Sequence, residues 1–213
     1  MMEVRPTDFF LRCLGLADGV VTSTELNKEI YEKFNKNIYL LPSALDFKIW
    51  DSLTPKKSRK LKIGYFGNKE DLEKILPSLA ELVKQYPIEF ENIAIDGVID
   101  QPDKLAKFGV SMALFPLEDT NYNRSKNNIN LLEVMALNIP IVASPIESYK
   151  GLPVLYAKTN YEWYECIEKL ITDKDFRKDV GQTGYNFVHE NYDMKKFVSK
   201  FQSWLKELKR KDY

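Results

Sequence analysis

The chain has 213 residues, 44% of them hydrophobic and 29% charged, and its 31 basic and 31 acidic side chains give a net charge of zero. Such a composition is that of an ordinary globular protein, long enough to bury a sizeable core in one domain or at most two. No global field draws it to nucleic acid, no apolar run approaches the roughly 20 residues that cross a bilayer, and Glu3, Arg5 and Asp8 stand where a signal peptide would be apolar.

The first part of the chain reads as a helix over residues 7–16, a short buried strand over 19–23, a helix over 25–34 and a strand over 37–41 that Pro42 stops. Residues 52–60, polar and holding Pro55, form a linker or surface loop. A second unit opens with a strand over 61–67 ending in Gly67, then a helix over 70–85 and a strand over 88–95 ending in Asp96-Gly97. A short helix over 102–108 and a strand over 110–117 follow. Next come a polar, cationic loop over 118–126, a helix through Leu131 to Leu137, a strand over 139–143 and a short strand over 153–156. Strands alternating with helices at this spacing predict an α/β fold, a Rossmann-like, doubly wound parallel sheet. From residue 161 the chain is expected to be a helical tail, with helices over 161–171, 175–190 and 193–209 and a bend where Gly181 and Gly184 interrupt the second.

The stretch from 110 to 144 carries the chemistry. A loop at a strand's carboxyl end that feeds a helix N-terminus is where open parallel sheets bind ligands. Backbone N–H groups, the helix dipole, Arg124 and Lys126 would together favour a diphosphate, and Glu133 could accept hydrogen bonds from a ribose diol. Cys13 and Cys166 lack the paired spacing of a metal or redox motif, and a chain of this size needs no disulfide staple, so a reduced cytoplasmic setting is expected.

In order, Asn123, Ser125, Lys126, Leu132, Glu133, Ala136, Pro140, Val142, Ala143 and Ser144 resemble the donor-binding region of GT-B glycosyltransferases, in particular the large retaining family of bacterial polysaccharide synthesis. Ala17-Asp18-Gly19-Val20-Val21-Thr22-Ser23 and Leu41-Pro42-Ser43-Ala44-Leu45-Asp46 are similar to the passage that closes the first domain of those enzymes. The resemblance therefore divides the chain into a terminal piece of an N-terminal domain with the interdomain segment, 1–50, and a donor-binding domain, 51–213. It departs from the family at Ser125, where a glutamate is common, and at Asn130, where a lysine is.

What the resemblance implies is transfer of a sugar from a nucleotide diphosphate sugar to a glycan or lipid-linked acceptor, the acceptor being held by a missing N-terminal domain or a partner subunit. Lys126 and Glu133 would be the catalytic pair, one neutralising the leaving diphosphate and the other holding the ribose. Gly67, Asn68, Lys69, Asn123, Arg124, Ser125 and Asn127 would bind the rest of the donor, and Asp96-Gly97 would lie by the nucleobase. No His/Cys cluster with metal-ligand spacing is present, so a metal-independent route without any cofactor is expected. The sole histidine, His189, is expected to be structural, and Tyr161-Glu162-Trp163-Tyr164 a packing face. The place of action would be the cytoplasm, with a peripheral position on the inner membrane face as an option. A non-catalytic binding or scaffold module of the same fold is the alternative, and an epimerase a weaker one, since it would need a histidine near the cleft and His189 is remote.

Overall fold

A computed structural model describes residues 7–66, 69–93 and 102–208. Its centre is a five-stranded sheet, parallel throughout, in the order β4-β3-β5-β6-β7. The strands are β3 (Leu61–Tyr65), β4 (Ile88–Asn92), β5 (Met112–Phe115), β6 (Ile141–Ala143) and β7 (Leu155–Tyr156). Before them come β1 (Val20–Thr22) and β2 (Ile38–Leu40), a separate parallel pair in register Val20 to Ile38.

The period of two in each central strand sorts its side chains between two cores. Ile63, Tyr65, Met112, Leu114 and Val142 point to one side, under α5 (Leu76–Gln85) and α9 (Asn160–Thr172). Phe66, Ala113, Phe115, Ile141 and Ala143 point to the other, where α6 (Pro102–Lys107), α8 (Ile129–Ala136) and α10 (Lys174–Asn191) cover them. Helices on both faces of a parallel sheet make the doubly wound architecture that the alternation predicts, and burial on both faces explains why β5 and β6 read as unbroken apolar runs.

Four expectations change. The helix over 70–85 is two, α4 (Lys69–Glu73) and α5, because Pro77 in the first turn of α5 has no N–H to continue the ladder. The loop over 118–126 contains a helical turn, α7 (Asn121–Ser125), started by the Thr120 hydroxyl, which accepts the Asn123 N–H at 3.1 Å. An unexpected turn, α3 (Phe47–Trp50), is capped by Asp46 and buries Phe47 and Trp50. Finally, α10 runs unbroken through Gly181 and Gly184, which are buried against α8 rather than at a bend.

The first unit and α11 (Lys195–Glu207) are tied together. Helix α1 (Asp8–Leu16) is held by Asn35, whose Nδ2 donates to the carbonyls of Leu14 at 2.8 Å and Ala17 at 2.7 Å. After α2 (Glu25–Tyr31) and β2, Leu45 exchanges backbone hydrogen bonds with Tyr192 and Met194 at the entry to α11. Phe201 and Trp204 of α11 then pack at a tilt against Tyr39 of β2, with ring centroids 5.3 and 5.1 Å away. The helical tail thus leaves the sheet and covers the first unit.

Candidate functional site

In this strand order the chain turns one way from β3 to β4 and the other way at β5, so the topological switch point is the crevice at the carboxyl ends of β3 and β5. The segment leaving β5 is built by its own hydrogen bonds. The Glu118 carbonyl accepts both the Thr120 N–H at 2.9 Å and Asn123 Nδ2 at 2.8 Å. Asn123 is buried by this, and its own carbonyl accepts the Ser148 hydroxyl at 3.3 Å. It is thus a brace of the loop.

The short α7 then brings its neighbours to a cavity of about 260 Å³ at the N-terminus of α8. Arg124, Asn127 and Asn128 line one wall, Ser23, Thr24 and Glu25 of the first unit another, and Glu147, Ser148 and Tyr192 contribute the rest of the polar lining. The Asn127 side chain accepts the Ile129 N–H at 3.3 Å, the first helical residue of α8, so it stands at the helix mouth. Across the cavity, Thr24 Oγ1 and Asn27 Nδ2 both donate to the Ser125 carbonyl, at 3.4 and 3.1 Å. Ser125 therefore joins the two units through its backbone, while its hydroxyl is turned to the Tyr122 carbonyl at 2.7 Å.

The cations are partly engaged. Arg124 grips Asp119 with both arms of its fork, Nε to Oδ1 at 2.6 Å and Nη2 to Oδ2 at 2.9 Å. That pairing raises the guanidinium pKa and holds the Asp119 carboxyl below the usual range. Lys126 Nζ rests over the Tyr122 ring, 4.7 Å from its centroid. Lys69, the first residue of α4, is exposed.

Glu133 lies one turn into α8 and is only 6% exposed. Its Oε2 has no hydrogen-bond partner, the one such buried side-chain atom among the described residues. Burial alone pushes its carboxyl up to about 7. Buried polar atoms are ordinarily satisfied, so this oxygen calls for a donor that the described residues do not supply. Gly67, Asn68, Asp96 and Gly97 lie outside the described residues.

His189 belongs to another cluster: its Nε2 is 2.9 Å from Asp51 Oδ1, which also accepts the Tyr185 hydroxyl at 3.1 Å, and its ring is 3.7 Å from that of Phe47. It fastens α10 to α3, as a structural residue does. Of the expected packing face, Trp163 is 3% exposed in the core beneath α9 and Tyr164 packs against it, whereas Tyr161 is 69% exposed. Cys13 and Cys166 are free. A larger cavity of about 420 Å³, at the carboxyl ends of β5 and β6, is lined by Lys74, Glu118, Asp119, Ser144, Lys158 and Trp163; it takes in the start of the predicted loop and Ser144, but none of the residues expected to hold the donor. Among the described residues no three His, Cys, Asp or Glu side chains converge, and no helix is long and apolar enough to cross a membrane.

Sequence reasoning missed Thr24, Asn27, Asp71 and Tyr192. Thr24 announces only a helix cap, since its other contact is to a carbonyl 101 positions away. Asp71 sits in a run of charges, Lys69-Glu70-Asp71, that reads as a solvated face.

No family model matches the sequence, and no curated protein does. Solved structures do match the fold. A sucrose-phosphate synthase from Thermosynechococcus elongatus is 12% identical with a TM-score of 0.63, over 93% of this chain and 60% of that one. Anabaena HepE, solved in complex with UDP-glucose, is 11% identical with a TM-score of 0.64, over 94% of this chain and 67% of that one. The C-terminal domain of a group 1 glycosyl transferase from Francisella tularensis is 14% identical with a TM-score of 0.50, over 70% of this chain and 99% of that domain. The chain therefore has the fold of the GT-B glycosyltransferases, C-terminal domain included, and spans about 60% of the synthase's length.

Proposed function

We propose that the chain is the nucleotide-sugar-binding half of a glycosyltransferase that builds polysaccharide or glycoconjugate. One observation carries this reading: a buried glutamate with an unpartnered oxygen, Glu133, one turn behind a polar cavity at the N-terminus of α8. A ribose hydroxyl offers the donor that this oxygen lacks, and a helix mouth suits the diphosphate attached to it. Lys126 would swing from the Tyr122 ring to the phosphates, with Lys69 and the backbone near Asn127 helping, and Arg124 would act through its Asp119 pair. In this scheme the negative charge of the leaving diphosphate is met by protein cations and the α8 dipole, without a metal. The acceptor would be bound across the cleft by another domain or subunit.

A scaffold that kept the fold and lost the chemistry is the second reading, favoured by the Asp119 grip on Arg124 and by a serine at 125 whose hydroxyl is spent on its own loop. Thermal stabilisation by a panel of UDP, GDP, ADP, CMP and dTDP decides between them. A ligand at about 100 times its dissociation constant adds roughly 2.7 kcal/mol. Selective stabilisation by one nucleotide, abolished in Glu133→Ala, supports the donor site and names the base. A flat response to all five favours the scaffold.

A further inference from the structure

Asp71, in α4, is only 4% exposed, yet it is a carboxylate. Its Oδ1 accepts the backbone N–H of Glu118 at 3.2 Å, across 47 positions of sequence. Lys74 Nζ stands 3.7 Å from the same oxygen and 3.3 Å from Glu118 Oε2, bracing the contact from the side. Besides burial, the Asp71 charge raises the phenol pKa values of Tyr65 and Tyr149, whose rings belong to the two opposite cores. Asp71 therefore reaches from α4, which follows β3, to the segment that leaves β5.

A buried carboxylate is costly to keep, and an apolar residue would hold α4 against the sheet without that cost. What an apolar residue cannot do is accept an N–H. One N–H that Asp71 accepts is that of Glu118, whose carbonyl in turn fixes Thr120 and Asn123, the residues that start and brace α7. From α7 and the residue after it come Arg124 and Lys126. We infer that Asp71 is a positioning residue for the donor site: it latches the segment 118–126 to α4, so that the loop bearing the cations is set from the β3 side of the crevice. The inference rests on the proposed donor-site reading for its functional half, while the latch itself is a matter of loop order.

The test uses Asp71→Ala, Asp71→Asn and Glu118→Pro. The asparagine keeps an acceptor for the Glu118 N–H, and the proline deletes that donor while leaving Asp71 in place. Amide hydrogen exchange over 118–126 reads the latch, and titration with the nucleotide panel, at a temperature where circular dichroism shows each variant folded, reads the site. Asp71→Ala and Glu118→Pro are expected to speed exchange in 118–126 by about tenfold or more and to weaken nucleotide binding by a similar factor, with Asp71→Asn within about threefold of wild type. A merely structural aspartate would lower the melting temperature and leave the affinity of the folded protein unchanged, which overturns the inference. So does Asp71→Asn behaving like Asp71→Ala, since the acceptor would then be irrelevant. If the wild-type chain binds no nucleotide while Asp71→Ala still loosens 118–126, the latch stands and the donor-site reading is what fails.

Discussion

The carbonyl oxygen of Asn138 lies where a side chain on Gly181 would begin: a Cβ built at Gly181 would stand 2.5 Å from it. Asn138 takes a positive φ of 60° where α8 ends, and its Nδ2 reaches Gln182 Oε1 at 2.9 Å. One turn on, a Cβ at Gly184 would meet Met135 at 3.1 Å. Helix α10 thus lies directly against the end of the helix that carries Glu133.

Gly181→Ala should therefore destabilise the chain although alanine is the better helix former. The propensity gain is at most about 1 kcal/mol, while pushing two backbones apart costs about 1–3 kcal/mol or more. A net loss of roughly 1–2 kcal/mol is expected from urea unfolding. A stability equal to wild type would mean that α10 does not sit this close.

The same pair shows what could be read from the letters alone. The doubly wound sheet was legible, because the period of two and the alternation of strands with helices survive in the sequence as local patterns. Gly181 and Gly184 were visible too, but their reason was not: a glycine in a helix reads as a weak point until the partner helix is placed against it. At the site, the order of residues from Asn123 to Glu133 marked the loop and its helix. Thr24, Asp71 and Tyr192 were invisible, since their contacts span 101, 47 and 64 positions and polar side chains carry no periodic signal.

Glu133 should make the unliganded chain less stable as pH rises. Its folded pKa is raised to about 7, above the unfolded value, so the folded state holds the proton more tightly and is favoured at low pH. That advantage is lost progressively as pH climbs from the unfolded pKa through the folded one. Glu133→Gln, neutral at every pH, should accordingly be more stable than wild type at pH 8, and its margin should be about 2 kcal/mol larger there than at pH 5.5. Denaturant unfolding at the two pH values measures it. An unchanging margin would show that the carboxylate has found a partner or solvent.

His189→Ala should cost stability without touching ligand binding. It removes a ring lying 3.7 Å from that of Phe47 and a hydrogen bond to Asp51, so a loss of about 1–2 kcal/mol is expected. Nucleotide affinity of the folded variant should match wild type, because none of His189, Asp51, Phe47 and Tyr185 lines the cavity at the α8 N-terminus. An altered affinity would put His189 back among the functional residues.

Lys126 and Tyr122 should have opposite effects on nucleotide binding. The ammonium rests 4.7 Å above the Tyr122 ring, an interaction worth about 0.5–1 kcal/mol at an exposed site. A diphosphate that recruits Lys126 must break it. Lys126→Ala should weaken a bound nucleoside diphosphate by about tenfold or more and flatten the dependence of affinity on salt, because a charge-assisted contact is lost. Tyr122→Leu should tighten the same ligand by about two- to fivefold, the equivalent of the resting interaction it removes. Calorimetric titration at two ionic strengths separates the outcomes. If both substitutions weaken binding alike, the tyrosine is itself a ligand contact and Lys126 is not held in reserve.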